Sequence, residues 1–182
     1  METRRILLRP VEENDYPTLF EWRNKDKFRS FVHYKDTRID YDSFLKEFKR
    51  DAKFRRYQYV IVQKSTSNAI GLLFTHTFSE KHCYCFINIY IDETIEKLGY
   101  GIDAFALLYC YLFENDALHK IYVEVFDYNK FSISNILSAG LIEEGRFKGH
   151  KLYEGKRYDV IRFAGYQNLI PRFRKVLNHF SG

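Results

Sequence analysis

The sequence predicts one α/β domain of the α+β kind: a mixed, mostly antiparallel twisted sheet of about seven strands with helices on both faces. Three observations support this fold class. The chain has 182 residues, a length typical of one domain with its own core. Seven short segments have the residue pattern of strands, and most follow one another directly, as in hairpins. Within residues 83–126 a helical pattern separates two of them, which predicts a crossover between parallel neighbours.

β-branched and aromatic residues define the strands, and polar or glycine-containing turns separate them. Pro10 ends the first strand, residues 64–68 form a polar turn after the second, and residues 79–81 link the third and fourth as an antiparallel hairpin. A glycine turn at 154–156 links the last two. The predicted strands cover residues 4–10, 57–63, 70–78, 83–91, 120–126, 146–153 and 157–164.

Apolar residues at three- and four-residue spacing predict helices between these strands. Asn14 or Asp15 is a suitable cap for the first, and Asp40 begins the second. A third helix, at 102–115, is apolar nearly all round and is therefore expected to be buried. The shorter helical segments are 132–139, which ends before Gly140, and 168–180. We accordingly divide the chain into a domain at 1–166 and a helical C-terminal extension at 167–182.

Composition and charge narrow the classes of function. Hydrophobic residues make up 46% of the chain, and its longest apolar run, residues 104–113, is about half the length of a membrane span. We therefore expect neither a disordered protein nor a membrane protein. Three cysteines form no disulfide framework, which favours a cytoplasmic location. The net charge of +5 permits an anionic partner, but no basic run has the length of a nucleic-acid-binding arm.

The segment with the clearest chemical meaning joins the fourth strand to the buried helix. Its turn, residues 96–101, contains Gly99 and Gly101, and glycine allows backbone N–H groups to approach an oxygen-rich ligand closely. The start of the following helix adds N–H donors and the positive end of the helix dipole. Together they predict a site for an anion such as pyrophosphate, to which Lys97 adds charge. The alternative is a purely structural turn, and the spacing fits neither a P-loop nor a dinucleotide fingerprint.

Several stretches, in the right order, resemble the GNAT-type N-acetyltransferases. Glu96-Lys97-Leu98-Gly99-Tyr100-Gly101 resembles the acyl-coenzyme A motif of that family, Gln/Arg-x-x-Gly-x-Gly/Ala. Residues 118–125 resemble the strand after the motif helix, and residues 129–145 resemble the Asn-x-x-Ser helix with its Gly-Phe-x-x-Glu-Gly ending. Residues 6–10 and 21–24 resemble the opening of the branch that contains the ribosomal-protein N-terminal acetyltransferases. The resemblance covers about residues 4–165 and implies the acetyl-coenzyme A N-acyltransferase-like fold.

The resemblance implies direct transfer of an acetyl group from acetyl-coenzyme A to a primary amine within a ternary complex, with no metal. The strand at 89–91 would splay from its neighbour, and its N–H groups would bind pantetheine and polarise the thioester carbonyl. Asn129 would bond the cofactor arm, and Ser132 would contact the cofactor or protonate the leaving thiolate. The residues expected to bind the cofactor are Ile89, Ile91, Glu96, Lys97, Leu98, Gly99, Tyr100, Gly101, Asn129 and Ser132.

The acceptor amine must lose a proton, and Glu124 is the first candidate for the catalytic base, with Ser132 as the second catalytic residue. A structural strand residue and a helix cap are the respective alternatives. The candidates for binding the acceptor or a water molecule are Trp22, His76, Asn88 and Tyr90. Cys83 and Cys85 lack a second pair of ligands at zinc-site spacing, so we predict no metal site.

Two departures from the family pattern leave other functions open. Glu96 stands where the family has glutamine or arginine, and its charge disfavours nearby phosphates. The tyrosine that commonly serves as general acid is absent, and Ser138 and Ala139 occupy its neighbourhood. A coenzyme-binding module with reduced catalysis is therefore one alternative, and a basic nucleic-acid-binding protein is another. The acceptor is a small-molecule amine or a protein N-terminus, and pairing of edge strands would allow a homodimer.

Overall fold

A computed structural model describes residues 1–31 and 37–179, except for the side chains of Lys97 and His179. Its strands are β1 (Ile6–Pro10), β2 (Gln58–Gln63), β3 (Ala69–Ser79), β4 (Tyr84–Ile91), β5 (Lys120–Phe126), β6 (Ile142–Tyr153) and β7 (Lys156–Tyr166). They form one sheet in the order β1-β2-β3-β4-β5-β7-β6. The pair β4–β5 is parallel, and the other neighbouring pairs are antiparallel. The predicted mixed, mostly antiparallel sheet is confirmed.

The helices are α1 (Tyr16–Asn24), α2 (Asp26–Phe31), α3 (Tyr41–Ala52), α4 (Tyr100–Asn115), α5 (Lys130–Ala139) and α6 (Ile170–His179). The sequence pattern did not predict α2, because six residues are too few to show a helical period. Helix α5 begins two residues earlier than expected, because its cap is Asn129: the Asn129 Oδ1 accepts a hydrogen bond from the Ser132 N–H at 3.1 Å. Strand β6 likewise begins at Ile142 instead of residue 146. In the described part of the chain, no helix has the length and apolar character needed to span a membrane.

Helices cover both faces of the sheet, as predicted, and each face has its own core. Successive residues of a strand point to opposite faces. Leu73 of β3 therefore packs in the cluster that contains α4 and α6, while its neighbours Leu72 and Phe74 pack with the residues of α1–α3. Helix α4 is buried, as its apolar sequence indicated, and its Tyr109 is fully enclosed.

The parallel ladder between β4 and β5 is short, and this determines where a ligand can enter. Only Tyr84, Cys85 and Phe86 of β4 have register partners on β5, namely residues 120–122. Beyond Phe86, β4 continues to pair with β3, and β5 continues to pair with β7. The two strands therefore separate toward their C-terminal ends, as the resemblance implied. Beyond Phe86, the backbone N–H and C=O groups of β4 that face β5 therefore have no partner on that strand.

Candidate active site

A cavity of about 390 Å³ opens where β4 and β5 separate. Its walls come from both strands, from the glycine turn (residues 96–101) and the start of α4, and from α2 and α5. The predicted site residues that line it are Asn88, Ile89, Tyr90, Ile91, Glu96, Gly99, Gly101, Glu124, Asn129 and Ser132. The fold therefore brings together residues that are up to 44 positions apart in the sequence (88 to 132).

The glycine turn has the backbone shape that an anion site requires. Gly99 has a φ of 79°, in the left-handed region that favours glycine. It directly precedes α4, where the N–H groups of Ile102 and Asp103 donate to the Gly99 carbonyl. The N–H groups of Tyr100 and Gly101, ahead of them, are the ones that a ligand can use. A Cβ at Gly101 would lie 3.3 Å from Cγ1 of Ile91, which also lines the cavity. A side chain at this position would therefore enter the space between the turn and β4.

Arg5, in the N-terminal segment, forms hydrogen bonds that stabilise the glycine turn. Its Nη1 donates a hydrogen bond to the Leu98 carbonyl at 3.0 Å, and its Nε donates to Asp103 Oδ2 at 2.8 Å. Burial raises the pKa of Asp103, although the Arg5 guanidinium opposes that shift. No local pattern indicates this contact, because Arg5 and Asp103 are 98 positions apart in the sequence.

Two residues of the coenzyme motif point away from the cavity. Leu98 is 56% exposed. Tyr100 is buried, and its hydroxyl accepts a hydrogen bond from Gln63 Nε2 at 2.9 Å. Neither side chain lines the cavity, so only their backbone can serve a ligand. The side chain of Lys97 lies outside the described part of the structure.

Glu96 is neutralised by Lys27, a residue that no motif in the sequence indicated. Its carboxylate forms an ion pair with Lys27 of α2, and both side chains line the cavity. They are 69 positions apart in sequence, and α2 itself was not predicted. Lys27 therefore supplies the positive charge that offsets the Glu96 carboxylate beside the expected phosphates.

Glu124 extends into the cavity from β5 and is held by Arg162 of β7. Both Nε and Nη2 of Arg162 donate to Glu124 Oε1, at 2.9 and 2.7 Å. The guanidinium carbon also lies 5.0 Å from the ring centres of Phe86 and Phe147. Arg162 is the register partner of Glu124, so the pair follows directly from the β5–β7 alignment. This contact fixes one carboxylate oxygen and neutralises the charge of Glu124 in part.

At the N-terminus of α5, Asn129 and Ser132 both line the cavity. The Oδ1 of Asn129 is used as the helix cap, so a ligand would meet its NH2 group. The hydroxyl of Ser132 is not the cap, which removes the structural alternative considered for this residue.

The candidates for the acceptor site are divided. Asn88 and Tyr90 line the cavity, whereas Trp22 and His76 do not. Trp22 is 3% exposed, and its Nε1 donates to Asp92 Oδ2 at 2.9 Å. The His76 ring stacks on Phe86 at 5.1 Å, and burial lowers its pKa. In the described residues no group of three or more potential metal ligands is close enough to hold an ion.

Comparisons with known proteins identify the same architecture. Residues 5–142 match the family described as "Acetyltransferase (GNAT) domain". The solved structure of spermidine N-acetyltransferase from Vibrio cholerae, in complex with CoA and spermine, has a TM-score of 0.83 and 21% identity over 92% of this chain and 98% of that one. A GCN5-related N-acetyltransferase from Brucella melitensis has a TM-score of 0.82 and 16% identity over 100% and 84%. A search of functionally curated proteins finds no match.

Proposed function

The chain belongs to the GNAT family of acetyl-coenzyme A-dependent acetyltransferases, and we propose that it acetylates a primary amine of a small molecule by direct transfer in a ternary complex. The observation that carries the proposal is the cavity between the separated ends of β4 and β5. It has an anion site at one end, formed by the glycine turn and α4, and a carboxylate, Glu124, in its wall.

The residues present fit the coenzyme. The space beside Gly101, which a Cβ would fill, allows close approach to the backbone, and the free N–H groups at the start of α4 suit phosphate oxygens. Acetyl-coenzyme A supplies the acetyl group as an activated thioester. The open edge of β4 offers N–H donors to the pantetheine amides and the thioester carbonyl. Asn129 and Ser132 face the same space from α5.

In this proposal Glu124 accepts the proton that the acceptor ammonium must lose before it can react. Arg162 keeps the Glu124 carboxylate in one orientation, because its Nε and Nη2 both donate to Oε1. Ser132 is the hydroxyl that we assign to the leaving sulfur, because the cavity wall has no tyrosine from α5.

A small-molecule acceptor is favoured over a protein N-terminus. Residues 21–24 resemble a motif of the ribosomal-protein branch, but the side chains of Trp22, Arg23 and Asn24 bond to other parts of the chain. Arg23 is buried and pairs with Glu47 at 2.7 Å, and the side chain of Asn24 exchanges hydrogen bonds with the Ile39 backbone. The Vibrio cholerae neighbour acts on spermidine, so polyamines are the first acceptor class to test.

Calorimetric titration with acetyl-coenzyme A and with coenzyme A tests the donor site, and a turnover screen tests the acceptor. The screen compares spermidine, spermine, an amino sugar, an aminoglycoside and a peptide with a free N-terminus, with release of the coenzyme thiol as the readout. We expect micromolar coenzyme binding and turnover of a small amine. Absence of coenzyme binding at millimolar concentration by the folded protein would refute the proposal. Turnover of the peptide alone would move the acceptor to protein N-termini.

Substitution Glu124→Gln separates an enzyme from a coenzyme-binding module. We expect kcat to fall about a hundredfold, because general base catalysis typically contributes this much, while the Kd for coenzyme A stays within twofold. Glu144→Gln is the matched control, since Glu144 is also hydrogen-bonded on the sheet but does not line the cavity. An unchanged kcat in Glu124→Gln would remove Glu124 from the catalytic role.

A further inference from the structure

A cluster of polar side chains lies between α2 and the glycine turn. Lys27 and Glu96 form an ion pair there, and Tyr90 lines the same cavity. Tyr90 is 3% exposed, and its hydroxyl has no hydrogen-bond partner in the described part of the chain. We propose that Lys27 and Tyr90 bind the pyrophosphate of the coenzyme from the α2 side, with Glu96 holding Lys27 in position. This inference rests on the proposed function, which supplies the ligand.

Lys27 can bind a phosphate oxygen and Glu96 at the same time. A lysine ammonium has three N–H donors, and one of them meets the Glu96 carboxylate. The two side chains are 19% and 31% exposed, so their charges act in a partly dehydrated space, where they are stronger than in water. Without Lys27, the Glu96 carboxylate would repel a pyrophosphate at the adjacent glycine turn. The pair therefore replaces a net negative charge beside the turn with a neutral pair, whose ammonium keeps N–H donors for a phosphate oxygen.

Tyr90 offers a buried donor that awaits an acceptor. Its ring packs against Trp22 at 5.5 Å and against Phe28 of α2 at 5.0 Å, which holds the ring in one orientation. Burial and the nearby carboxylates Asp92, Glu93 and Glu96 raise the pKa of Tyr90, so the hydroxyl stays protonated and can donate. A buried hydroxyl without a partner costs stability. A phosphate oxygen in the cavity would remove that cost.

Helix α2 is a firm support for Lys27. At its C-terminal end the Tyr128 hydroxyl donates to the Ser30 carbonyl, and the ammonium of Lys151, which is 2% exposed, lies 3.5 Å from the same carbonyl oxygen. One turn earlier, Lys27 faces the glycine turn. These contacts anchor the C-terminal end of α2 near β5, while Lys27 lies on the β4 side of the cavity. Lys27 is therefore held in a constant position, as a residue that binds phosphate requires.

The test measures the Kd of three ligands by calorimetry: coenzyme A, dephospho-coenzyme A, which keeps the pyrophosphate, and pantetheine, which lacks it. Lys27→Met should weaken the first two by tenfold or more and leave pantetheine within twofold. Tyr90→Phe should weaken them about fivefold. The ligand-free Tyr90→Phe protein should unfold at the same or a higher urea concentration than wild type, because it loses an unpaired buried hydroxyl.

The double variant Lys27→Met/Glu96→Gln distinguishes a phosphate ligand from simple charge neutralisation. If Lys27 binds phosphate, the double variant stays about tenfold weaker than wild type for coenzyme A. If Lys27 only neutralises Glu96, wild-type affinity returns and the proposal is wrong. Lys120→Met is the matched control, because Lys120 forms a similarly half-buried ion pair with Glu144 at 2.9 Å and does not line the cavity. It should leave all three Kd values within twofold.

Two other outcomes would also overturn the proposal. If Lys27→Met weakened pantetheine as much as it weakened coenzyme A, the substitution would act by disturbing the fold and not by removing a phosphate contact. If Lys27→Met and Tyr90→Phe raised the KM for the acceptor amine and left the Kd for coenzyme A unchanged, the two residues would belong to the acceptor site. Failure of wild type to bind any of the three ligands would instead refute the proposed function, so the two failures are distinguishable.

Discussion

Gly101 is a residue at which one added side chain acts directly on the cavity. A Cβ there would lie 3.3 Å from Cγ1 of Ile91 and 3.8 Å from Cδ1 of Ile89, and both isoleucines line the cavity. In Gly101→Val we expect coenzyme A to bind at least tenfold more weakly, since branched atoms displace the ligand from the turn. Calorimetry measures the Kd. Gly145→Val is the control, because a Cβ at Gly145 meets nothing within 4 Å. Equal coenzyme affinity in the two variants would contradict an anion site at this turn.

The environments of the three cysteines predict that they differ in reactivity. Burial raises the pKa of Cys85 to about 12 and that of Cys110 to about 11, so neither is a thiolate at pH 8. Cys83 is half-buried at the hairpin between β3 and β4. We expect iodoacetamide to modify only Cys83 in the folded protein and all three cysteines in denaturant. Mass spectrometry of peptides gives the result, and rapid modification of Cys85 in the folded state would contradict the burial of β4.

Helix α6 is joined to the domain through Phe173. This side chain is 2% exposed and packs on Tyr109 at 4.5 Å and on Phe105 at 5.6 Å, both from α4. Phe173→Ala should lower the free energy of unfolding by about 3–5 kcal/mol, the usual cost of removing a buried aromatic ring. Urea denaturation measures it. Arg174→Ala, which removes a 62% exposed side chain in a surface ion pair with Glu114, should cost less than about 1 kcal/mol. Similar costs for the two variants would show that α6 is not docked.

The sequence was most informative where periodicity and turns decide the element. The strand predicted at residues 70–78 is β3, and the glycine turn indicated the start of α4. The sequence pattern did not indicate the side-chain contacts between distant elements. The partners of Glu96 and Glu124 lie 69 and 38 positions away, and their pairing depends on helix placement and strand register. Single-sequence patterns report local geometry, so the motif residues were found and the residues that orient them were missed.

Asp92 connects the helical layer to the end of β4. Trp22 Nε1 and Lys25 Nζ both donate to its Oδ2, at 2.9 and 2.7 Å. Burial alone would raise the pKa of Asp92, but the hydrogen bonds from Lys25 and Thr94 outweigh it and hold the pKa at about 2. Both α1 and the segment leading to the glycine turn therefore depend on one ionised carboxylate.

This lowered pKa gives the stability of the molecule a specific dependence on pH. A carboxyl whose pKa is lower in the folded state contributes stability above its ordinary value near 3.9 and loses it as the pH falls toward 2. Asp92→Asn should therefore reduce the free energy of unfolding by about 1–2 kcal/mol at pH 7, and the gap from wild type should narrow between about pH 4 and pH 2. Urea denaturation from pH 7 to pH 3 tests this. Glu80→Gln, at an 84% exposed side chain, should stay near wild type throughout. A gap that stays constant down to pH 3 would show that Asp92 matters through its shape and not its charge.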